Sequence, residues 1–219
     1  MELPFESYRY PWDESVMGRL DIIPNFYSDS ELEYLRTMAV SVGKVSSDVY
    51  PNQRVPYGAL FPSDSGQVSS VVGDTFMCSK VEWLYHNWEA FSVSTEVDGV
   101  KYSKNAGSDL LDRNNNVPAW CNHHMQCSPA HMRPYPIHND GGKLMTILVP
   151  IYPDVNNSTI FHGNDRFKVD TTDGTMIPWN INEAYMFRSS SHSWHSYVGG
   201  ESDRFIMNIN FFNNFFKRT

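Results

Sequence analysis

Apolar residues recur at helical spacing in one early segment of the chain, residues 25–43 (NFYSDSELEYLRTMAVSVG). Four apolar positions fall on one face of the predicted helix: Leu32, Leu35, Ala39 and Val42. Ser28 precedes them and Glu31 follows Ser28 by three residues, which is the spacing of a capping box. Gly43 is expected to end this helix. The same periodicity predicts a second helix over residues 74–88, and both helices are expected to pack outside the rest of the fold.

From residue 91 onward the pattern changes to short apolar or alternating runs separated by turn residues. In FSVSTEVDGVKYS, Asp98 and Gly99 mark the turn of a hairpin. The later runs of this type are AWCNHHMQC, KLMTILVPIY, STIFH, RFKVD, EAYMFR, HSWHSYV and RFIMNINFF. Many short strands predict a sandwich or barrel, a mainly β fold. Residues 49–66 are broken by proline and glycine and are expected to form an ordered loop.

Length and composition narrow the class of protein. The chain has 219 residues, enough for one domain with a sizeable core. We expect a single domain over 1–219, with helical support over about 20–90 and a β core over about 91–216. The formal net charge of −8 opposes a broad basic surface for nucleic acid or anionic membranes. Three cysteines without a framework spacing favour a reducing compartment, and no leader or membrane span is apparent, so a cytoplasmic protein is expected.

The pentapeptide PIHND at 136–140 offers the first candidate chemistry. On an extended backbone, His138 and Asp140 point to the same side and could hold a metal ion together. Such a triplet also occurs by chance, so a third ligand is required. His195 lies in the regular run SWHSYV, whereas His192 follows a serine triplet typical of a loop. We favour His195 as the third ligand, and His192 remains the alternative.

Arg204 opens the last predicted strand and falls on the same side as three further residues, Ile206, Asn208 and Asn210. A guanidinium facing a sandwich core needs an anionic partner, because a buried unpaired charge costs about 3–5 kcal/mol. The alternatives are an ion pair with an acid near Asp203 or exposure to solvent. Two histidines and one carboxylate leave three positions open on a metal, the arrangement of non-haem Fe(II) oxygenases. An arginine nearby matches a carboxylate with two parallel hydrogen bonds.

These residues resemble the 2-oxoglutarate and Fe(II)-dependent oxygenase superfamily, whose pattern is H-x-D, a distal H and then R about ten residues later. IPNFYSDSELEYL, HNDGGKLMTILVPIY and the closing segment from residue 181 are similar to its prolyl-hydroxylase-like branch, so the resemblance spans most of residues 20–216. The general character of the sequence also resembles that of small oxygenases encoded by bacteriophages. This resemblance would place the protein in the cytoplasm of a bacterial or phage-infected cell.

The resemblance implies a fold, a reaction and a set of site residues. The fold would be a double-stranded β-helix, a cupin-like jelly roll with N-terminal supporting helices. The reaction would use O2 to decarboxylate 2-oxoglutarate to succinate and CO2 while a substrate is hydroxylated, with ascorbate as a reductant. Iron would be bound by His138, Asp140 and His195, and Arg204 would bind the distal carboxylate of 2-oxoglutarate. Relatives often have a hydroxyl residue where this chain has Ile206, so the other cosubstrate contacts are assigned to Tyr135 and Thr146.

Other functions are kept open or disfavoured by the same residues. A cupin-like metal-binding or structural protein without catalysis is the main alternative. A nucleic-acid-modifying oxygenase that flips a base is the third, and the acidic balance favours a small molecule or peptide as primary substrate over nucleic acid. Zinc at CNHHMQC is disfavoured, because a seven-residue strand does not readily wrap a tetrahedral ion.

Overall fold

The computed structural model describes residues 7–46, 54–62, 68–70, 92–97, 100–105, 120–128, 130–131, 135–141, 143–164 and 173–212. Its helices are α1 (Glu14–Met17) and α2 (Asp29–Ser46). Its strands are β1 (Tyr8–Arg9), β2 (Leu20–Ile23), β3 (Arg54–Pro62), β4 (Val68–Ser70), β5 (Ser92–Val97), β6 (Val100–Asn105), β7 (Trp120–Ser128), β8 (Lys143–Tyr152), β9 (Thr159–Gly163), β10 (Thr175–Met176), β11 (Ala184–Phe187), β12 (Trp194–Tyr197) and β13 (Arg204–Phe212).

Two antiparallel sheets form the body of the fold. The larger sheet has the strand order β1-β2-β11-β8-β13-β7-β3-β4, and the smaller sheet has the order β10-β9-β12. Strands distant in sequence are therefore neighbours in space, as in β2 beside β11 and β13 between β8 and β7. This is a mainly β architecture of the jelly-roll class, the double-stranded β-helix predicted from the sequence. In a separate hairpin, β5 pairs with β6 and Val97 lies opposite Val100, whereas the predicted turn residues Asp98 and Gly99 lie outside the described residues.

The two sheets enclose an apolar core. Residues from the larger sheet meet Phe161 of the smaller one, and its ring packs edge-on against Phe187 at 5.0 Å between centroids. The buried members of this cluster are Leu20, Ile22, Leu148, Phe161, Ile177, Tyr185, Phe187 and Ile206. Trp12 closes the cluster from the N-terminal side, 5.2 Å from Phe161. This core holds the inner faces of β8, β12 and β13 at a fixed separation.

Strand β13 lies in the middle of the larger sheet and is buried on both faces from Arg204 to Asn210. Its apolar residues Phe205, Met207 and Ile209 are buried and lie on the outer face of the sheet. Helix α2 packs on this outer face, over β7 and β8. Three of the four residues on its inner face are polar and buried: Arg204 at 2%, Asn208 at 6% and Asn210 at 1% exposure. Polar groups in this position require partners inside the jelly roll, because burying them unpaired is unfavourable.

Helix α2 is capped and anchored as the sequence predicts at its N-terminus. The amide of Ser28 donates to Glu31 (2.7 Å), and the amide of Glu31 donates to the Ser28 hydroxyl (3.4 Å), so the capping box is present. Leu35 and Ala39 are buried against the sheet. The helix runs past Gly43 to Ser46, so the prediction that Gly43 ends it is wrong. An interior glycine costs a helix only about 1 kcal/mol, which the rest of the helix can outweigh.

Within residues 49–66, which are predicted to form a loop, the described part is a strand. Residues 54–62 form β3, which pairs with β7 on one side and β4 on the other. The register shifts between Pro56 and Gly58, and such a bulge accommodates a proline in a paired strand. The segment predicted as helical support thus contributes β2, β3 and β4 to the larger sheet. The predicted helix at 74–88 lies outside the described residues. Among the described residues, no helix has the length and apolar composition needed to cross a bilayer.

Candidate metal centre

His138 and His195 are neighbours through their backbones. The amide of His138 donates to the carbonyl of His195 (3.0 Å), and the amide of His195 donates to the carbonyl of His138 (2.8 Å). This isolated antiparallel bridge joins the segment before β8 to strand β12. The imidazole centroids lie 4.3 Å apart. Two side chains far apart in sequence are therefore fixed side by side by main-chain hydrogen bonds.

Each imidazole is oriented by a hydrogen bond at Nδ1. The Nδ1 of His138 lies 2.9 Å from the carbonyl of Pro136, and that of His195 lies 2.8 Å from the carbonyl of Ser193. A carbonyl oxygen only accepts, so each Nδ1 carries a proton and Nε2 is the ring nitrogen left to bind a cation. This pattern of an outer hydrogen bond that sets the tautomer is typical of metal-binding histidines. Both Nε2 atoms are thus prepared to bind a cation.

Asp140 supplies the third donor and has a partner on each oxygen. Its Oδ1 accepts from Lys143 Nζ at 2.7 Å, and its Oδ2 accepts from the Thr146 hydroxyl at 2.6 Å. Oδ2 also lies 3.9 Å from His195 Nε2. Burial raises the pKa of Asp140, but His195, Lys143 and the Thr146 hydroxyl outweigh it and lower the pKa to about 2. The carboxylate is therefore ionised at neutral pH.

The three side chains form one cluster of potential ligands. One donor atom each from His138, Asp140 and His195 lies within 4.8 Å of the others. Burial lowers the pKa of His195 to about 4, against the opposing effect of Asp140, so its ring is neutral at pH 7. A neutral imidazole and an ionised carboxylate are the protonation states that a divalent cation requires. The donor set of two nitrogens and one oxygen suits Fe(II) and leaves coordination positions open.

Arg204 is a buried cation without a carboxylate partner among the described residues. Its exposure is 2%, its Nη2 donates to the Thr159 hydroxyl at 3.3 Å, and its Nε has no hydrogen-bond partner. Asp203 does not neutralise it; that carboxylate accepts from the amide of Ala130. Burial lowers the pKa of Arg204 to about 10, so it stays charged at neutral pH. Of the alternatives raised from the sequence, exposure to solvent is thus wrong for this side chain.

Aromatic rings connect Arg204 to the histidines. The guanidinium carbon lies 4.8 Å from the ring centroid of Tyr197, which is two residues after His195 on β12. Tyr135 stacks on Tyr197 at 5.0 Å and 9°, and its other neighbour is His138 at 4.9 Å. A chain of ring contacts therefore links the guanidinium to the cluster of donors. A second ring, Trp179, lies 5.3 Å from the guanidinium carbon.

The structure separates the two candidates for the distal histidine. His192 lies in the serine loop, where its amide donates to Ser190, and it is not part of the cluster found among the described residues. Thr146 contacts Asp140 directly, and Tyr135 lies between His138 and Tyr197. Sequence reasoning missed Lys143 and Tyr197. Spacing contained both signals: Lys143 is three residues after Asp140, and Tyr197 shares a strand face with His195.

Comparison with known proteins identifies similar folds only. No protein-family model and no curated protein sequence matches the chain. The crystal structure of IDO from Bacillus thuringiensis is similar, with a TM-score of 0.51 and 15% identity over 89% of each chain. A prolyl hydroxylase from Trichoplax adhaerens, solved with a hypoxia inducible factor peptide, has a TM-score of 0.49 and 16% identity over 89% of this chain and 83% of that one.

A viral collagen prolyl hydroxylase from Paramecium Bursaria Chlorella virus-1, solved as a 2-oxoglutarate complex, has a TM-score of 0.48. Its identity is 15%, over 89% of this chain and 95% of that chain. The comparison therefore supports a similar fold alone. At these identities it assigns no substrate.

Proposed function

We propose that the protein is an Fe(II)- and 2-oxoglutarate-dependent dioxygenase that hydroxylates a small molecule or a peptide. The observation that carries the proposal is the presence of two features linked by the stacked rings of Tyr135 and Tyr197. One is the cluster of His138, Asp140 and His195, and the other is the buried guanidinium of Arg204, whose Nε has no partner in the described part of the chain. Either feature alone is compatible with several classes of protein, whereas a chelating dicarboxylate satisfies both.

The donor set fits a divalent iron site. Both histidine Nε2 atoms are free of the hydrogen bonds that occupy Nδ1, and Asp140 is ionised. No cysteine belongs to the cluster found in the described part of the chain, and imidazole with carboxylate is a set that iron accepts without thiolate. When bound, the iron would supply the activation of oxygen coupled to the decarboxylation of 2-oxoglutarate. The chain itself would contribute orientation, charge and exclusion of water.

Arg204 fits the distal carboxylate of the cosubstrate. A buried cation whose described neighbours are a hydroxyl and two aromatic rings is incompletely compensated, and a carboxylate would complete its hydrogen bonds. The Thr159 hydroxyl already contacts the guanidinium and would limit its rotation. Ile206, two residues along β13, belongs to the apolar core, so the position that holds a hydroxyl in many relatives provides none here. Arg204 would then be the main determinant of affinity for the dicarboxylate.

The stacked rings of Tyr135 and Tyr197 form an aromatic wall between His138 and Arg204. A ligand reaching from the histidines to the guanidinium would therefore lie along these rings. The Tyr197 hydroxyl accepts from the Gln126 amide at 3.0 Å, which ties this ring to the neighbouring sheet. Such a wall would exclude water from the reacting end and strengthen the electrostatic interactions inside.

The proposal is tested by turnover of the cosubstrate without a primary substrate. Purified protein is incubated with Fe(II), 2-oxoglutarate and ascorbate, and succinate is measured against a metal-free sample. We expect slow succinate formation that requires iron and disappears in Asp140→Ala. Calorimetry supplies a second measurement, in which 2-oxoglutarate binds only to the metal-loaded protein and the Arg204→Met variant loses this binding.

The main alternative, a non-catalytic cupin-like protein, makes opposite predictions. It would bind metal without succinate formation, and 2-oxoglutarate binding would be independent of both metal and Arg204. Absence of succinate together with such indifference would refute the oxygenase assignment. Nucleic-acid binding that weakens steeply with salt would instead indicate the nucleic-acid-modifying class.

A further inference from the structure

Lys143 forms an ion pair with Asp140 inside the candidate metal centre. The Nζ atom lies 2.7 Å from Asp140 Oδ1, and both side chains are nearly buried, at 11% and 9% exposure. The chain also closes a turn here, because the amide of Lys143 donates to the carbonyl of Asp140 at 3.0 Å. Backbone and side chain of Lys143 therefore hold the same residue. Metal binding by the two histidines and Asp140 does not require this lysine, and neither does binding of a carboxylate by Arg204.

The presence of a cation at this position is unfavourable for binding a second cation. A lysine against a prospective metal ligand repels a divalent ion and competes with it for the carboxylate. The two oxygens of Asp140 are, however, not equivalent. Oδ2 faces His195 Nε2 at 3.9 Å, whereas Oδ1 is the oxygen held by Lys143. The lysine thus holds Oδ1, whereas the oxygen in contact with the second imidazole is Oδ2.

Thr146 completes the restraint of the carboxylate from the other side. Its hydroxyl lies 2.6 Å from Asp140 Oδ2 and 3.3 Å from Asn210 Oδ1 on β13. The shorter contact is the stronger one, so the hydroxyl proton is directed to Asp140. With Lys143 on Oδ1 and Thr146 on Oδ2, rotation of the carboxylate would break at least one charge-assisted hydrogen bond. The plane of the carboxylate is therefore fixed before any ligand arrives.

We propose that Lys143 is a positioning residue that keeps Asp140 a one-oxygen metal ligand by holding Oδ1 away from the metal. A carboxylate free to rotate can bind a metal through both oxygens and would then occupy a position needed by 2-oxoglutarate or oxygen. The inference rests on the proposed function. It adds that the number of open coordination positions is set by a lysine outside the ligand set.

The test compares the wild type with Lys143→Met, Lys143→Gln and Lys143→Arg, each loaded with Mn(II). Infrared difference spectra, metal-bound minus metal-free, report whether a carboxylate binds through one or two oxygens by the separation of its two stretching frequencies. Calorimetry then gives the Kd of Mn(II) and the Kd of 2-oxoglutarate for the loaded protein. Thermal unfolding identifies variants that fail to fold.

We expect Lys143→Met to shift the spectrum toward two-oxygen binding and to raise the Kd of 2-oxoglutarate about tenfold or more. The Kd of Mn(II) should change far less, because loss of orientation and loss of cation repulsion oppose each other. Lys143→Arg keeps the positive charge and should show the infrared spectrum and the 2-oxoglutarate affinity of the wild type. If Lys143→Met does not fold, Lys143→Gln carries the comparison, since it removes the charge and keeps a polar side chain.

Two results would overturn the inference while leaving the oxygenase proposal intact. One is a folded Lys143→Met or Lys143→Gln protein with the spectrum and 2-oxoglutarate affinity of the wild type. The other is an arginine variant that folds and behaves like the methionine variant. If the wild type itself binds neither Mn(II) nor metal-dependent 2-oxoglutarate, the proposed function fails first and this inference fails with it.

Discussion

The backbones of His138 and His195 hydrogen-bond to each other in both directions, at 3.0 and 2.8 Å, so the two rings keep their places independently of a metal. This arrangement separates the structural role of the two residues from their role as ligands. A side-chain truncation at either position leaves the main-chain bridge in place.

His138→Ala should therefore fold and yet lose metal binding. For the wild type, a divalent metal at about 100 times its Kd should add about 2.7 kcal/mol to the free energy of unfolding, and a chelator should remove it. The variant should show no such metal-dependent stabilisation. His192→Ala is the matched control, because His192 lies outside the cluster and should keep the full effect. Thermal unfolding with and without metal measures this stabilisation in each variant. Its loss in His192→Ala, with retention in His138→Ala, would contradict the ligand set and indicate His192 as the distal ligand.

Arg204→Met should abolish 2-oxoglutarate binding without destabilising the ligand-free protein. Arg204 is 2% exposed and its Nε has no partner among the described residues, so an apolar replacement removes the desolvation cost of a buried, incompletely paired charge. Chemical denaturation measures the stability, and calorimetry measures the binding. Thr159→Val, which removes the hydroxyl at 3.3 Å, should weaken 2-oxoglutarate binding only modestly. A large loss of stability in Arg204→Met would show that the arginine is structural.

Asn182→Ala should weaken the attachment of α2 to the sheet. The buried side chain of Asn182 accepts from the amide of Tyr27 and donates to its carbonyl, both at 2.7 Å. Its loss removes two buried hydrogen bonds to the backbone of Tyr27, at a cost of about 2–4 kcal/mol in total. Asn182 also has φ of 65°, so Asn182→Gly is the control that relieves backbone strain and lacks the hydrogen bonds. Denaturation midpoints should rank wild type, glycine and alanine in descending order; equal midpoints would contradict this role.

Phe161→Ala should destabilise the core and disturb the distal histidine. The Phe161 ring contacts Trp12, Phe187 and His195, with centroids at 5.2, 5.0 and 5.7 Å. Removing a buried aromatic ring costs about 3–5 kcal/mol, and the cavity would border His195. Met176→Ala, at an exposed position on β10, should change stability by less than about 0.5 kcal/mol. Equal stability of the two variants would contradict the packing described for Phe161.

Most strands of the β-rich half could be predicted because they are short apolar or alternating runs with turn residues at their ends. KLMTILVPIY and RFIMNINFF correspond residue for residue to β8 and β13, since each is an apolar run bounded by turn residues. The triad could be proposed because His138 and Asp140 are close in sequence, and His195 lies in a regular strand. The preference for His195 over His192 rested on the same distinction between strand and loop.

The remaining features depend on contacts that sequence spacing does not encode. β3 was missed because proline and glycine usually interrupt strands, and only its pairing with β7 and β4 absorbs the irregularity at Pro56. The stack of Tyr135 on Tyr197 and the isolation of Arg204 Nε arise from the packing of distant segments. No local pattern gives the distances between them.

The bridge between His138 and His195 also affects how the protein would lose its metal. Four of the described strands, β8 to β11, separate the two residues along the chain. The three ligands are therefore close together only while the segment that contains His138 stays paired with β12. Release of β12 alone would remove a ligand and open the bridge at once. Detachment of β12 would thus be one route by which a bound metal is lost, so metal retention would depend on the stability of this strand.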